Sequence, residues 1–181
     1  MCLAQMGMSD ITVIDYDEVE NHNLASQLYK ETDIGKPKVE ALYDNVKEFT
    51  GVELSIFNMK FEPFMVADAD IVIIWVDNMA TRKQVVESLT TKTKRYIDWR
   101  MQWQAFELHM FIPVFENQLY MNTWYSDEQA SHEVCTNKAV SYNTFAIASV
   151  ISRLVVGIIK DEPAIMKKTN IQVDLANLLI Q

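Results

Sequence analysis

The stretch VIDYDEVENHNL, from Val13 to Leu24, ends an apolar run in Asp15 and Asp17 and follows it closely with Glu18, Glu20, Asn21 and Asn23. Two carboxylate oxygens match two vicinal hydroxyls, so an aspartate at the carboxyl end of a buried parallel strand is placed to hold a ribose. The other reading is an aspartate that merely opens a turn. A second stretch, DIGKPKVE, puts Lys36 and Lys38 on either side of Pro37 at a helix start. The helix macrodipole is positive there, so each ammonium should lose roughly 0.3 to 1 kcal/mol against a neutral residue. A bound phosphate reverses that sign, because lysine and backbone amides then converge on one anion; two ammonium groups turned into water are the alternative. A third stretch, DIVIIWVDN, ends in Asp77 and Asn78. A carboxylate beside polyphosphate is repelled unless a hard cation intervenes, and Mg²⁺ is commonly held by one or two carboxylates with phosphate oxygens. The three stretches together point to a nucleotide with magnesium rather than to a nicotinamide cofactor.

These groups need strands and helices to bring them together. LAQMGMSD reads as the last turn of a helix stopped by Gly7, followed by a strand from Ile11 to Asp15. After a polar connection, Val39, Leu42, Val46 and Phe49 recur at helical spacing, with Pro37 suited to the first helical position. GVELSIF alternates as a half-buried strand, and Ile71 to Val76 is an unbroken apolar run, as expected of a strand covered on both faces. Strands alternating with helices predict an α/β fold with a parallel sheet. Downstream the pattern predicts a helix to about Leu89, a short strand at RYIDW, and an antiparallel pair formed by QAFELHMFIPV and QLYMNTWYS. A long, largely buried helix from Ala139 to Ile159 then precedes an edge strand at Ile171 to Val173 and a terminal helical turn.

With 181 residues and 49% hydrophobic composition the chain is expected to form one domain over residues 1–181. Its 25 acidic and 16 basic residues give a net charge of −9, which argues against extensive binding to nucleic acid or anionic lipid. The segment from Ala139 to Ile159 is broken by Ser141, Asn143, Ser149, Ser152 and Arg153, so no membrane span is expected. Two cysteines and no signal-peptide pattern make the cytoplasm the expected compartment.

The run ITVIDYDEVENHNLASQ, then DIGKPKVEA, then ADIVIIWVDNMATR and finally YIDWR resembles the ThiF/MoeB/HesA superfamily, adenylyltransferases related to ubiquitin-activating enzymes. The resemblance implies a Rossmann-like α/β fold, with a mostly parallel sheet, helices on both faces and an antiparallel strand pair. It also implies a homodimer that uses ATP and Mg²⁺ to adenylate the C-terminal carboxylate of a small ubiquitin-fold, sulfur-carrier-like protein or a peptide. By position, it gives Asp15 the ribose, Asn23 and Gln27 a place near the nucleotide, and Lys38 the phosphates. Asp77 falls near phosphate and magnesium, so Lys38 and Asp77 are the expected catalytic pair; Asn78, which the resemblance also places in the nucleotide-binding set, and Arg82 complete the motif, with Asn78 capping the next helix.

Three departures accompany the resemblance. The family's Gly-rich loop belongs to a strand-loop-helix unit just before MCLAQMGMSD, so the chain is expected to be N-terminally shortened. The missing strand is central in the 3-2-1-4 order, so the strands ending at Asp15 and Asp77 pair directly, or another chain fills the gap between them, or the sequence is a shortened form of a longer protein. Ser26 in NLASQ stands where an arginine is expected to stabilise the transferred phosphate, leaving that charge to Lys36 or a partner. The paired CxxC motifs of many members are absent, so no structural zinc is expected. Two of these departures support the alternative function, a noncatalytic member acting as a binding or dimerisation module. Cys135, three residues after His132, is either a nucleophile or a small buried hydrophobe. Trp99, Trp103, Phe106 and Phe111, with Met101 and Met110, are either core or a face toward the carrier.

Overall fold

The computed structural model describes residues 1–102, 105–126, 141–177 and 179–180. Trp103, His132 and Cys135 lie outside the described residues. The chain forms two compact units, Met1–Phe61 with Ala139–Ser152 and Glu62–Lys138 with Arg153–Gln181.

In the first unit, α1 (Cys2–Gln5) stops at Gly7, whose φ of 89° is a conformation open to glycine, and the chain turns into β1 (Thr12–Ile14). Two 3-10 turns, Asn21–Ala25 and Glu31–Asp33, lead to α2 (Lys38–Thr50), which Gly51 ends in the left-handed region. β2 (Ser55–Phe57) then pairs with β1 in parallel, Val13 opposite Ile56. Ala4, Val46 and Leu54 form the centre of this core, with Ile11, Val13, Leu42, Val52 and Ile56 packed against it. Pro37 is the residue just before the helix, and Val39 and Val46 are buried as the periodicity predicts. Phe49, in the last turn, extends past the core and is 69% exposed.

The second unit carries β3 (Ile71–Ile74), α3 (Met79–Ser88), β4 (Arg95–Gln102), β5 (Ala105–Phe111) and α4 (Asn117–Met121). The long helix α5 (Ser141–Ile159) contributes residues to both units, and α6 (Pro163–Met166), β6 (Asn170–Asp174) and β7 (Leu179–Ile180) follow. The sheet order is β3-β4-β5-β6-β7, parallel between β3 and β4 and antiparallel in each later pairing.

Among the described residues β1 and β3 belong to separate sheets, so direct pairing, one of the alternatives for these strands, is not seen. Three expectations change. The antiparallel partner of β5 is the RYIDW strand, extended to eight residues, while QLYMNTWYS supplies α4. Glu116 and Asn117 cause that switch, for their side chains accept the Ile112 and Val114 N–H groups at 2.6 and 2.9 Å and stop the strand. β3 is buried on one side only, since Val72 and Ile74 are buried while Ile73 is 36% and Trp75 54% exposed. Finally, the terminal segment forms β7 beside β6 rather than a helical turn.

α5 is long and apolar enough to cross a membrane by length and composition. Ile147, Ile151, Leu154, Val155 and Ile158 are buried in the protein, which is the pattern of a core helix.

Candidate functional site

The polar groups of the first unit gather where β1 ends. Asp15 continues the strand, its N–H donating to Phe57 O at 3.2 Å. The Asp17 N–H donates to Asp15 Oδ1 at 2.9 Å, an Asx turn that aims the next carboxylate toward α2. The Lys38 N–H donates to Asp17 O at 2.8 Å, and Lys38 Nζ donates to Asp17 Oδ2, also at 2.8 Å. Asp15 and Lys38 are therefore brought together, through Asp17. Burial raises the Asp15 pKa, partly opposed by the Asp17 N–H and the Lys38 charge. Tyr29 lies against the same group, its hydroxyl donating to Lys38 O at 3.4 Å. Its pKa is raised by burial and by the charges of Asp15, Asp33 and Asp17.

The amides of the first turn of α2 are less open than the sequence predicts. Lys38 N–H is held by Asp17, and Pro37 O accepts Glu40 N–H at 3.1 Å and Ala41 N–H at 3.0 Å. Positive charge at this helix start comes mainly from the Lys38 side chain, and Asp17 supplies the anion that the macrodipole favours. Lys36 has a different task. Its Nζ lies 2.9 Å from Oδ1 of Asp33, a side chain only 4% exposed. Asp33 Oδ2 also accepts Lys30 N–H at 2.9 Å and Asn45 Nδ2 at 3.2 Å. Burial pushes the Asp33 pKa up, but these hydrogen bonds and the lysine outweigh it and hold the carboxyl below its usual value. Lys36 thus joins a structural clasp between the second 3-10 turn and α2, a poor source for the charge that Ser26 does not provide.

Asn23 is 3% exposed and forms a capping box with Glu20, its Oδ1 accepting Glu20 N–H at 2.9 Å. Gln27 is half-buried, its N–H donating to Asn23 O at 2.8 Å. Ser26 is 7% exposed, with a buried Oγ that has no hydrogen-bond partner among the described residues.

Asp77, Asn78 and Arg82 belong to the second unit. Asn78 Oδ1 accepts Thr81 N–H at 2.7 Å and so caps α3, as the motif predicts. Asp77 is exposed, with Oδ1 accepting Asn78 Nδ2 at 3.3 Å. Among the described residues no three His, Cys, Asp or Glu side chains group as a metal site. A lone exposed carboxylate fits Mg²⁺ only when phosphate supplies further ligands.

Arg82 is structural. It reaches from α3 to the carbonyls of Val76 and, at 3.0 Å, Trp99, and its Nη1 pairs with Asp98 Oδ1. Asp98 Oδ2 accepts Arg100 Nε at 3.0 Å and the Tyr120 hydroxyl at 2.9 Å, and Arg100 binds Thr123 O at 2.7 Å. The Asp98 side chain is 0% exposed and that of Arg82 8%, so one buried carboxylate joins β4, α3 and α4. Burial lowers the Arg82 pKa, opposed chiefly by Tyr96 and Tyr120.

Sequence reasoning did not single out Asp17, Tyr29, Asp33, Asn45, Asp98 or Tyr120. For Asp33 a signal existed: KETD has the spacing by which an aspartate returns to the N–H three residues before it. The others are joined by long-range contacts that no local spacing announces.

The order of strands and helices, with acidic strand ends and a lysine at a helix start, defines a mixed α/β, Rossmann-like class of fold. The chain belongs to the ThiF family, whose model matches residues 1–181. The MOCS3 protein of Caenorhabditis briggsae, named adenylyltransferase and sulfurtransferase, is 34% identical over 86 residues, 44% of this chain and 21% of that protein. The crystal structure of PaaA matches 99% of this chain and 58% of its own, with a TM-score of 0.72 and 17% identity. Escherichia coli MccB with ATP matches 99% of this chain and 57% of its own, at TM-score 0.68 and 18% identity. MccB with AMPCPP and MccA gives 0.68 and 19%, over 98% and 57% of the two chains. This chain thus spans little more than half the length of these structures and about a fifth of MOCS3. The structures establish the Rossmann-like fold.

Proposed function

We propose that this chain carries part of the nucleotide site of an ATP-dependent adenylyltransferase that activates the C-terminal carboxylate of a small ubiquitin-fold protein or a peptide. The single observation carrying this reading is the linkage of Asp15 to Lys38 through Asp17, at the end of a parallel strand in a ThiF-family chain. The adenylyltransferase name of MOCS3 and the ATP and MccA in MccB structures support adenylyl transfer from ATP as the chemistry.

Asp15 has one oxygen occupied by Asp17 N–H, leaving acceptor capacity for ribose hydroxyls. Lys38 lends its ammonium to the phosphates; in the second unit, Asp77 is the carboxylate that would hold Mg²⁺. The cation, when bound, neutralises charge on the phosphate chain. In the reaction the acceptor carboxylate attacks the α-phosphorus and pyrophosphate leaves, with orientation and positive charge as the protein's contribution.

A noncatalytic binding module is the second reading, favoured by Ser26, whose buried hydroxyl is no substitute for a fixed cation. Pyrophosphate–ATP exchange with ubiquitin-fold carriers and short peptides separates the two. Acceptor-dependent exchange is expected. Silence with every acceptor, with MgATP binding retained by calorimetry, would establish the module instead.

A further inference from the structure

Of the two lysines flanking Pro37, only Lys38 has a displaceable partner. The Asp33 carboxylate on Lys36 is buried and fixed by the Lys30 N–H and Asn45 as well. The Asp17 carboxylate on Lys38 is 50% exposed, while the Lys38 side chain is 15% exposed. The Asp17 backbone already ties the loop to α2 through its carbonyl and to Asp15 through its N–H. Its carboxylate therefore adds little to folding, as is usual for half-exposed pairs. What it does is occupy the ammonium from the side open to solvent.

We propose that Asp17 is a gating residue for the phosphate chain: its carboxylate is the resident anion on Lys38, and a phosphate chain binds by displacing it. This rests on the phosphate role given to Lys38 above. Breaking the Asp17–Lys38 pair costs every incoming anion the same, and a pyrophosphate or triphosphate, which brings more negative charge to the same ammonium, meets that cost most readily. Once displaced, Asp17 stays tethered nearby by its backbone bonds, and its repulsion weakens every anion held there, the more highly charged ones most.

The test uses the full chain, isotopically labelled and titrated with inorganic pyrophosphate and with inorganic phosphate while the Lys38 signals are followed by NMR. Wild type, Asp17→Asn and Asp17→Glu are compared. Asparagine keeps an acceptor for Lys38 but removes the charge, so pyrophosphate should bind at least about fourfold tighter at low salt, from one unit charge removed about 5 Å from each unit of ligand charge in a high dielectric. The gain should shrink at high ionic strength, and inorganic phosphate, which carries less charge, should gain less than pyrophosphate. Glutamate restores the carboxylate and should return both values toward wild type, which a purely structural role for Asp17 does not require. Equal or weaker pyrophosphate binding by Asp17→Asn, or no shift of Lys38 in any variant, overturns the inference. If Lys38 responds as described while acceptor-dependent exchange is absent, the enzyme reading falls and the inference stands. If exchange is present and Asp17→Asn binds as wild type, the inference alone falls.

Discussion

Asp98→Ala should destabilise the second unit more than any single change at the protein's surface. The substitution removes the acceptor of Arg82, Arg100 and the Tyr120 hydroxyl at once. The Arg82 and Arg100 side chains are 8% and 10% exposed, so neither can turn into water to recover its solvation. Breaking a buried pair by deleting one partner costs about 3 to 5 kcal/mol, because an uncompensated charge remains. Against a typical domain stability of about 5 to 15 kcal/mol, that is a large fraction. Urea unfolding followed by circular dichroism measures it, with a lower midpoint and an unchanged slope expected. The double variant Arg82→Met with Asp98→Leu supplies a second reading. With the Arg82 and Asp98 charges replaced by apolar groups, part of the lost stability should return, although Arg100 and Tyr120 still lack their acceptor, giving measurable coupling in the cycle. A loss below about 1 kcal/mol in Asp98→Ala, the size of an exposed pair, would refute the assignment of this carboxylate as a buried link.

Gly157→Ala should lower stability although alanine favours helices, because a Cβ there meets Ile165 Cγ1 at 2.5 Å and Cβ at 2.9 Å. A melting temperature lower by several degrees is expected, and Gly157→Ala with Ile165→Ala should recover part of it. His109 has its pKa lowered from 6.5 to about 4, by burial first and then by Arg100, so the folded state keeps it neutral. Its contribution is complete above pH 6.5 and lost as pH falls toward 4, since the unfolded chain binds the extra proton. The loss is about 2 kcal/mol at pH 5, and His109→Gln should flatten the stability slope in that window by denaturant titration. Asp33, with a lowered pKa, contributes stability that is present above its unfolded value of 3.8 and is lost as pH falls through its lower folded value. Asp33→Ala should therefore be less stable than wild type at pH 6, with the difference shrinking as pH falls below 3.8, again by urea unfolding. Lys38→Met should reduce acceptor-dependent exchange at least tenfold while leaving the melting temperature within a few degrees, since its partner Asp17 is half exposed.

Local rules decided much of this molecule before any tertiary contact. Gly7 and Gly51 stop helices because a positive φ is open to them, Asn78 caps α3 because its oxygen reaches an N–H three residues on, and the Ile71 run extends because β-branched residues favour strands. The motif order also identified the family, for spacing between strand ends and helix starts survives where identity is low. Sequence did not reveal which strands pair. β1 and β3 lie in separate sheets and RYIDW takes the partner expected of QLYMNTWYS, because Glu116 and Asn117 end β5 through nearby N–H groups while Tyr120 is held by Asp98, 22 residues away, and pairing depends on such distant contacts. The same holds for charge. Lys36 and Lys38 read alike as neighbours of Pro37, yet one is bound to a buried aspartate held by Asn45 and the other to an exposed one across 21 residues of chain. An ammonium's function depends on the solvation of its partner, and solvation is a property of the folded structure.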